Sequence, residues 1–236
     1  MTQQSAPTAE GITLKRLIVP TMKIFFPGMI AFGVLLFLPA GTLNYWQAWV
    51  FLIVFNGLLS VSTAYFAIKD PALIERRKNV VEPRLGQKIF SVVAAGTNLV
   101  VLPVFSALDN RFGWSQMPVY VCLIGDGLIV VANIIYYYVF QFNSFVGSTI
   151  QIFEGQKVIS TGPYALVRHP KYVGDLFLVI AIPLALGSWW GLVIIAVITP
   201  LLAWRILDEE SLLKKDLPGY VEYMQKVHYR LVPYLW

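Results

Sequence analysis

The sequence predicts an all-α integral-membrane protein with about six membrane-spanning helices (five to six), the last two forming a hairpin. Apolar residues make up 57% of the chain and charged residues only 13%, about half the charged share usual in soluble proteins. The segment Ile24–Ile68 contains no Lys, Arg, Asp or Glu, and two crossings of about 20 residues each fit into it. A second uncharged segment, Leu176–Trp204, lies near the C-terminal end.

The distribution of apolar residues places each helix. We predict helices over 22–41, 46–68, 89–107, 117–140, 172–187 and 190–206. The last two come from the uncharged segment Leu176–Trp204, which could also form one tilted helix. A turn at Gly187-Ser188-Trp189-Trp190 brings the polar residues on either side of the segment to the same membrane face. Each arm is then short but still able to cross, and indole side chains suit the membrane interface. We therefore predict the hairpin.

The positive charges predict the orientation. If the N-terminus is cytosolic, the outer connections are 41–45, 109–116 and 187–189, and of the 18 Lys and Arg residues only Arg111 falls outside. Such a bias is typical of cytosolic loops, so both termini and the active site are predicted to be cytosolic. The loop Lys69–Lys88 holds six of the positive charges and is expected to contact the headgroups of the lipid bilayer. The net charge of +5 requires no nucleic acid partner.

Several kinds of site are excluded by composition. The single cysteine, Cys122, and two histidines are too few for an ordinary zinc site, so no metal is expected. The sequence contains no G-x-x-x-x-G-K-[ST] or G-x-G-x-x-G motif and no βαβ pattern, which argues against a Rossmann domain. We divide the chain into a disordered N-terminus (1–12), a four-helix membrane region (13–141) and a C-terminal region (142–236). Nothing in the sequence indicates the oligomeric state.

A first polar cluster lies in the segment Thr161–Gly174, TGPYALVRHPKYVG. Pro170 suits the first position of a helix, which leaves His169 near the N-cap, beside backbone N–H groups that favour an anion or polar ligand. Tyr164 alone would be typical of an interfacial aromatic belt, and a lone interfacial histidine is more often structural than catalytic. The cluster also includes Arg168, Lys171 and Tyr172, with Asp175 one turn into the helix.

A second cluster follows the uncharged segment. Arg205 and Glu209 are spaced i and i+4, on one face of a helix, with Asp208 and Glu210 alongside. An ion pair at a helix end entering water would explain Asp208. It explains Arg205 and Glu209 less well, because charges are costly where the helix is still at the membrane. Two or three acids there would attract a cation or a positively charged cofactor.

Taken in order, the C-terminal motifs resemble those of the isoprenylcysteine carboxyl methyltransferase family, and more widely the membrane phospholipid methyltransferases. The resemblance covers roughly residues 142–236. The motifs that carry it are Gly162-Pro163-Tyr164, Arg168-His169-Pro170-x-Tyr172-x-Gly174, Arg205-x-x-x-Glu209-Glu210 and Gly219-Tyr220-x-x-Tyr223 followed by Arg230-Leu231-x-Pro233.

The resemblance implies a methyltransferase that uses S-adenosyl-L-methionine, with a cofactor pocket at the cytosolic face formed by residues 142–236 and an acceptor entrance shaped by residues 13–141. The implied catalytic residues are Arg205, His169 and Glu210, and Arg205 is also the implied substrate-binding residue. The implied cofactor-binding residues are Gln156, Lys157, Val158, Ile159, Tyr164, His169, Pro170, Lys171, Tyr172 and Glu209.

The chemistry of these side chains agrees with that implication. A sulfonium and an ammonium group suit the faces of tyrosine rings and the carboxylate of Glu209. In-line methyl transfer depends mainly on alignment and desolvation. Arg205 could hold an acceptor carboxylate through two hydrogen bonds. An amine acceptor would need a general base, for which His169 and Glu210 are the candidates.

The favoured function is therefore carboxyl O-methylation of an apolar or lipid-linked acceptor, such as a prenylated cysteine. An NADPH-dependent membrane reductase of the sterol or steroid type is the main alternative, because such enzymes have a similar His-Pro-x-Tyr-x-Gly element. Methylation of a phospholipid amine or a small thiol is a further possibility. A non-catalytic membrane scaffold is the third hypothesis. Cofactor binding discriminates among the methyltransferase, the reductase and the scaffold.

Overall fold

A computed structural model describes residues 14–78, 82, 84–147, 149–153 and 155–236. Over these residues the secondary structure is helical, without strands, which confirms the predicted all-α class. The N-terminus predicted to be disordered, 1–12, lies outside the described residues.

Nine α-helices form this part of the chain, and a π-helical segment (Thr97–Val101) makes α4 and α5 continuous. Their bounds are α1 (Leu14–Ala40), α2 (Trp46–Lys69), α3 (Pro71–Lys78), α4 (Leu85–Gly96), α5 (Leu102–Phe112), α6 (Val119–Phe142), α7 (Pro170–Ala185), α8 (Gly191–Asp216) and α9 (Tyr220–Lys226). Within the described residues, five spans are long and apolar enough to cross a membrane: Ile18–Ala40, Trp46–Lys69, Leu85–Phe112, Val119–Phe142 and Gly191–Asp216. The protein is an integral membrane protein.

The predicted hairpin is confirmed, with α7 and α8 as its arms, although α7 is not among the five spans. Gly187 turns the chain with φ +77°, a conformation that glycine adopts without steric cost. The Ser188 N–H then donates to the Pro183 carbonyl over 2.8 Å. α7 has only 16 residues, so it is the shorter arm.

The helix bounds differ from the predicted ones in two informative places. α8 continues to Asp216 instead of ending near 206. It ends there because Leu217 precedes Pro218 and has left the helical conformation. Arg205 and Glu209 therefore lie within one uninterrupted helix. The short helices α3 and α9 were not predicted, since neither has the length of a membrane span.

The turns at one end of the bundle are joined by hydrogen bonds. The Tyr45 hydroxyl donates to the Leu186 carbonyl over 2.6 Å. The Ser188 hydroxyl donates to the buried Asp109 carboxylate over 2.5 Å, and Ser115 donates to the same carboxylate over 2.7 Å. The connections predicted to share one membrane face thus meet at one end. We call this the turn end. We call the opposite end, where α6 ends and α7 begins, the cavity end.

α6 and α7 pack closely through small residues. A Cβ atom on Gly125 would lie 2.3 Å from the backbone nitrogen of Ala185, and one on Gly174 would lie 2.8 Å from the ring of Tyr136. Such close approach is typical of helices that associate within membranes. It fixes the start of α7, which carries the first polar cluster, against the cavity end of α6.

Candidate functional site

The start of α7 is held by the C-terminal segment of the chain. His169 occupies the N-cap position and Pro170 the first helical position, as predicted. The Arg168 N–H donates to the Tyr229 carbonyl over 2.9 Å, and the His169 N–H donates to the Arg230 carbonyl over 3.0 Å. Two consecutive residues of the first cluster are therefore fixed by backbone hydrogen bonds to a segment more than fifty residues away.

A cavity lies between the start of α7 and α8. Its walls are formed by parts of 143–151, 156–159, 164–172 and 205–223, and they enclose about 830 Å³ including the open mouth. Among the described residues, no group of three or more His, Cys, Asp or Glu side chains is placed to hold a metal ion.

The structure brings the sequence-predicted site residues together around this first cavity. All ten predicted cofactor-binding residues line it: Gln156, Lys157, Val158, Ile159, Tyr164, His169, Pro170, Lys171, Tyr172 and Glu209. Arg205 lines it as well. The two polar clusters, separated by the α7–α8 hairpin in sequence, thus meet in the wall of one cavity. Their roles toward a cofactor stay predictions.

Arg205 and Glu209 do not simply form the expected i, i+4 pair, because the hydroxyl of Tyr172 lies between them. The Arg205 Nε donates to the Tyr172 hydroxyl over 2.9 Å, and that hydroxyl donates to Glu209 Oε2 over 2.5 Å. Arg205 Nη1 also donates to Gln87 Oε1 over 2.9 Å. The chain of hydrogen bonds connects α4, α7 and α8 and fixes the direction of the Glu209 carboxylate.

Glu210 is placed differently from Glu209. Its side chain is 1% exposed and is not among the cavity-lining residues. It accepts a hydrogen bond from Arg168 Nε over 2.7 Å and another from Arg230 Nε over 3.1 Å. Two guanidinium groups thus compensate its buried charge, as a buried carboxylate requires.

His169 lies between the two carboxylates. Its Nε2 is 3.4 Å from Glu210 Oε1, and its Nδ1 is 3.9 Å from Glu209 Oε1. The imidazole is also packed against the ring of Tyr172, with centroids 5.7 Å apart. His169 therefore contacts both the cavity-lining Glu209 and the buried Glu210, which pairs with Arg168 and Arg230.

Tyr164 lies in the cavity wall, so the interfacial-belt interpretation does not fit it. Its hydroxyl accepts a hydrogen bond from Asn143 Nδ2 over 3.1 Å, and its carbonyl accepts one from the Tyr223 hydroxyl over 2.7 Å. Burial raises the pKa of Tyr164 and of Tyr223 above the usual tyrosine value. Both phenols therefore stay neutral at physiological pH.

Sequence reasoning missed several residues of this site. Tyr220 and Tyr223 line the cavity, although they stood in a quoted motif without an assigned role. Gln87 is 1% exposed and contacts both Arg205 and Asp208. No local signal marked it, because it lies in a segment predicted to be a loop.

A second, larger cavity lies beside the first, between α2, α3, α6 and α7. It encloses about 1,200 Å³ including its mouth, and most of its lining is apolar. Lys171 lines both cavities. The two cavities therefore share a border at the start of α7.

Comparison with known proteins matches the part of the chain that forms the first cavity. Residues 120–217 match the family model described as phospholipid methyltransferase. The chain is 31% identical over 127 residues to the Delta(14)-sterol reductase TM7SF2 of Mus musculus, an alignment that covers 46% of this chain and 30% of that protein. The chain thus spans about a third of the length of that relative. What these matches establish is a phospholipid methyltransferase-like membrane region, residues 120–217, that contains α6 to α8 and both polar clusters.

Proposed function

We propose that the protein is a membrane methyltransferase that uses S-adenosyl-L-methionine to methylate the carboxylate of an apolar or lipid-linked acceptor, such as a prenylated cysteine. The observation that carries this proposal is the first cavity. Within a region that matches a methyltransferase family, it places the carboxylate of Glu209 beside tyrosine rings.

The wall residues fit the chemistry of this cofactor. The carboxylate of Glu209 suits the ammonium group, and the ring faces of Tyr164 and Tyr172 suit the sulfonium. At the first turn of α7, Pro170 has no N–H and the N–H groups of Tyr172 and Val173 donate to the His169 carbonyl, which leaves the Lys171 N–H for the cofactor's carboxylate. The segment 156–159 also lines the cavity and would hold the remaining polar atoms.

When bound, the cofactor supplies a methyl group whose bond to sulfur breaks as a bond to the acceptor oxygen forms. An acceptor carboxylate attacks with an oxygen lone pair, so no proton has to be removed. We propose that Arg205 orients this carboxylate. Buried side chains such as Arg168, Tyr172 and Arg205 form part of the wall, and such fixed groups would favour alignment of the two reactants.

Glu210 and His169 receive distinct roles in this proposal. Since Glu210 is enclosed by Arg168 and Arg230, we assign it to positioning His169 and the α7 start, instead of to proton transfer. His169 lines the cavity and would act as general base only if the acceptor were an amine. The name of the matching family model, phospholipid methyltransferase, keeps a lipid amine as a second acceptor class.

An NADPH-dependent reductase is the second candidate function, and the sterol reductase relative favours it. Against this alternative stands the match of residues 120–217 to the phospholipid methyltransferase model. The first cavity is lined by four basic side chains, Lys157, Arg168, Lys171 and Arg205, beside the acid Glu209, so direct cofactor binding decides between the two functions.

Transfer of a labelled methyl group tests the proposal. The purified chain in lipid nanodiscs is incubated with methyl-tritiated S-adenosyl-L-methionine and a prenylated cysteine. We expect label in an organic-soluble product that mild base releases, as a methyl ester requires, and little label with a Glu209→Gln variant. Base-stable label on a phospholipid would identify the amine acceptor instead. Oxidation of NADPH with a sterol substrate and no methyl transfer would overturn the proposal in favour of the reductase.

A further inference from the structure

One face of α4 contacts the second polar cluster on α8. Phe90 and Ser91 follow Gln87 by three and four positions, so the three side chains lie on the same side of the helix. Arg205 Nη1 donates to Gln87 Oε1 over 2.9 Å and to Ser91 Oγ over 3.3 Å. The Phe90 ring centre lies 4.9 Å from the guanidinium carbon. Arg205 is therefore held by α4 as well as by Tyr172 of α7.

The side chain of Gln87 joins two groups of opposite charge. An amide carries both an acceptor and a donor. Gln87 Oε1 accepts the hydrogen bond from Arg205, and Gln87 Nε2 donates to Asp208 Oδ2. An aliphatic side chain at this position would satisfy neither partner. Because only 1% of Gln87 is exposed, a hydrogen bond lost there is costly to leave unmade.

The attachment of α4 to α8 also has a component that is separate from Arg205. Arg84 Nη1 lies 2.8 Å from Asp208 Oδ2, the same oxygen that accepts the hydrogen bond from Gln87. Asp208 does not line the first cavity, whereas Arg205 does. A substitution at Asp208 therefore tests the attachment of the two helices apart from the cavity wall.

We propose that Gln87 is a positioning residue for methyl transfer, which holds the guanidinium of Arg205 in the wall of the first cavity, with Ser91 as a weaker second support. This role rests on the proposed function, in which Arg205 orients the acceptor carboxylate. Gln87 lies before the segment 120–217 that matches the family model. The group that contacts the acceptor is thus on α8, and its direction is set by a helix outside that segment.

Loss of this support should raise the KM for the acceptor without lowering kcat. The acceptor carboxylate loses its charge as the methyl group arrives, so its interaction with Arg205 is no stronger in the transition state than in the bound substrate. An interaction of that kind contributes to KM and not to kcat. A merely structural contact behaves differently, because its loss lowers the amount of folded enzyme and so the apparent kcat, at an unchanged KM.

Steady-state kinetics of the full chain in nanodiscs tests this role, with a prenylated cysteine as acceptor and saturating S-adenosyl-L-methionine. For Gln87→Met we expect the KM for the acceptor to rise about tenfold, the effect of one hydrogen bond to a charged group, with kcat within about twofold. Calorimetry should give an unchanged affinity for S-adenosyl-L-methionine, since the bond between Tyr172 and Glu209 is retained. Gln225→Met, the same substitution at an exposed glutamine of α9, is the matched control.

Two further variants separate orientation from attachment. Asp208→Asn removes the charge that pairs with Arg84 but keeps an oxygen for Gln87, so it should lower the melting temperature and leave the KM unchanged. Ser91→Ala favours the helical conformation of α4 and removes the weaker support. Its KM for the acceptor should rise about twofold to threefold, the lower end of hydrogen-bond contributions. Ser91→Ala carries the test if Gln87→Met does not fold.

An unchanged KM in Gln87→Met and Ser91→Ala would overturn the positioning role and, with methyl transfer intact, leave the proposed function standing. A rise in KM as large in Asp208→Asn as in Gln87→Met would also overturn it, since attachment of the helices alone would then explain the effect. If the unmodified protein neither binds S-adenosyl-L-methionine nor transfers a methyl group, the proposed function itself is rejected, and this role with it.

Discussion

The Tyr172 hydroxyl donates a 2.5 Å hydrogen bond to the Glu209 carboxylate and so joins α7 to α8 across the wall of the first cavity. Tyr172 is buried, while a quarter of the Glu209 side chain is exposed toward the cavity. The bond therefore orients a carboxylate that is still accessible to a ligand. A carboxylate fixed in this way is prepared for a cationic partner without the entropy loss of ordering it on binding.

Removing this hydroxyl should weaken cofactor binding while the protein stays folded. For Tyr172→Phe we expect the affinity for S-adenosyl-L-methionine to fall about tenfold or more, because a hydrogen bond to a charged group contributes about 1.5–3 kcal/mol. Isothermal titration calorimetry measures the change. Tyr234→Phe, which alters a tyrosine that is 92% exposed, is the matched control. An unchanged affinity in Tyr172→Phe would show that the bond does not prepare the site.

Glu210 should contribute to stability more than to binding. Glu210→Gln removes the negative charge between Arg168 and Arg230 and leaves their guanidinium groups facing an amide. We expect a loss of about 3 kcal/mol in the free energy of unfolding, the lower end of values for breaking a buried ion pair, seen as a lower melting temperature in detergent. Glu222→Gln on the exposed face of α9 should have no effect.

The same Glu210 variant separates positioning from catalysis. A melting temperature equal to that of the unmodified protein, combined with complete loss of methyl transfer, would contradict the stabilising role assigned to Glu210.

The contact between α6 and α7 predicts opposite results for two glycines on one helix. A Cβ atom at Gly125 would clash with the α7 backbone at 2.3 Å, whereas one at Gly127 meets nothing within 4 Å. We expect Gly125→Ala to destabilise the bundle by about 1–3 kcal/mol, as overpacking does. Gly127→Ala should be neutral or stabilising by up to about 1 kcal/mol. Thermal unfolding measures both, and equal melting temperatures would contradict the close packing.

The spans and the hairpin were predictable because their signals are local. Uncharged segments set the helix positions, and the confinement of Lys and Arg to certain loops predicted which turns share an end, as the contact between Asp109 and Ser188 bears out. Helix ends were less predictable. Polar residues continue α8 well past Arg205, and sequence hydropathy cannot distinguish a helix leaving the membrane from a helix that stops.

The candidate site was predictable where its residues stand in or directly before ordered motifs. Gln87 reaches Arg205 from a separate helix, and Tyr136 reaches Asp175 over 39 positions. Such contacts depend on how α4 and α6 pack against the hairpin, and no spacing within the sequence encodes that packing. The second cavity is likewise a product of packing among four helices.

Calorimetric titration of S-adenosyl-L-methionine and of NADPH into the purified protein, alongside Glu209→Gln and its control Glu222→Gln, tests the proposed methyltransferase most directly. We expect micromolar binding of S-adenosyl-L-methionine by the unmodified protein and by Glu222→Gln. In Glu209→Gln it should weaken at least tenfold, because the carboxylate that faces the cationic cofactor is lost, and NADPH should not bind. Binding of NADPH alone, or S-adenosyl-L-methionine affinity unchanged in Glu209→Gln, would contradict a methyl-donor site built on this carboxylate.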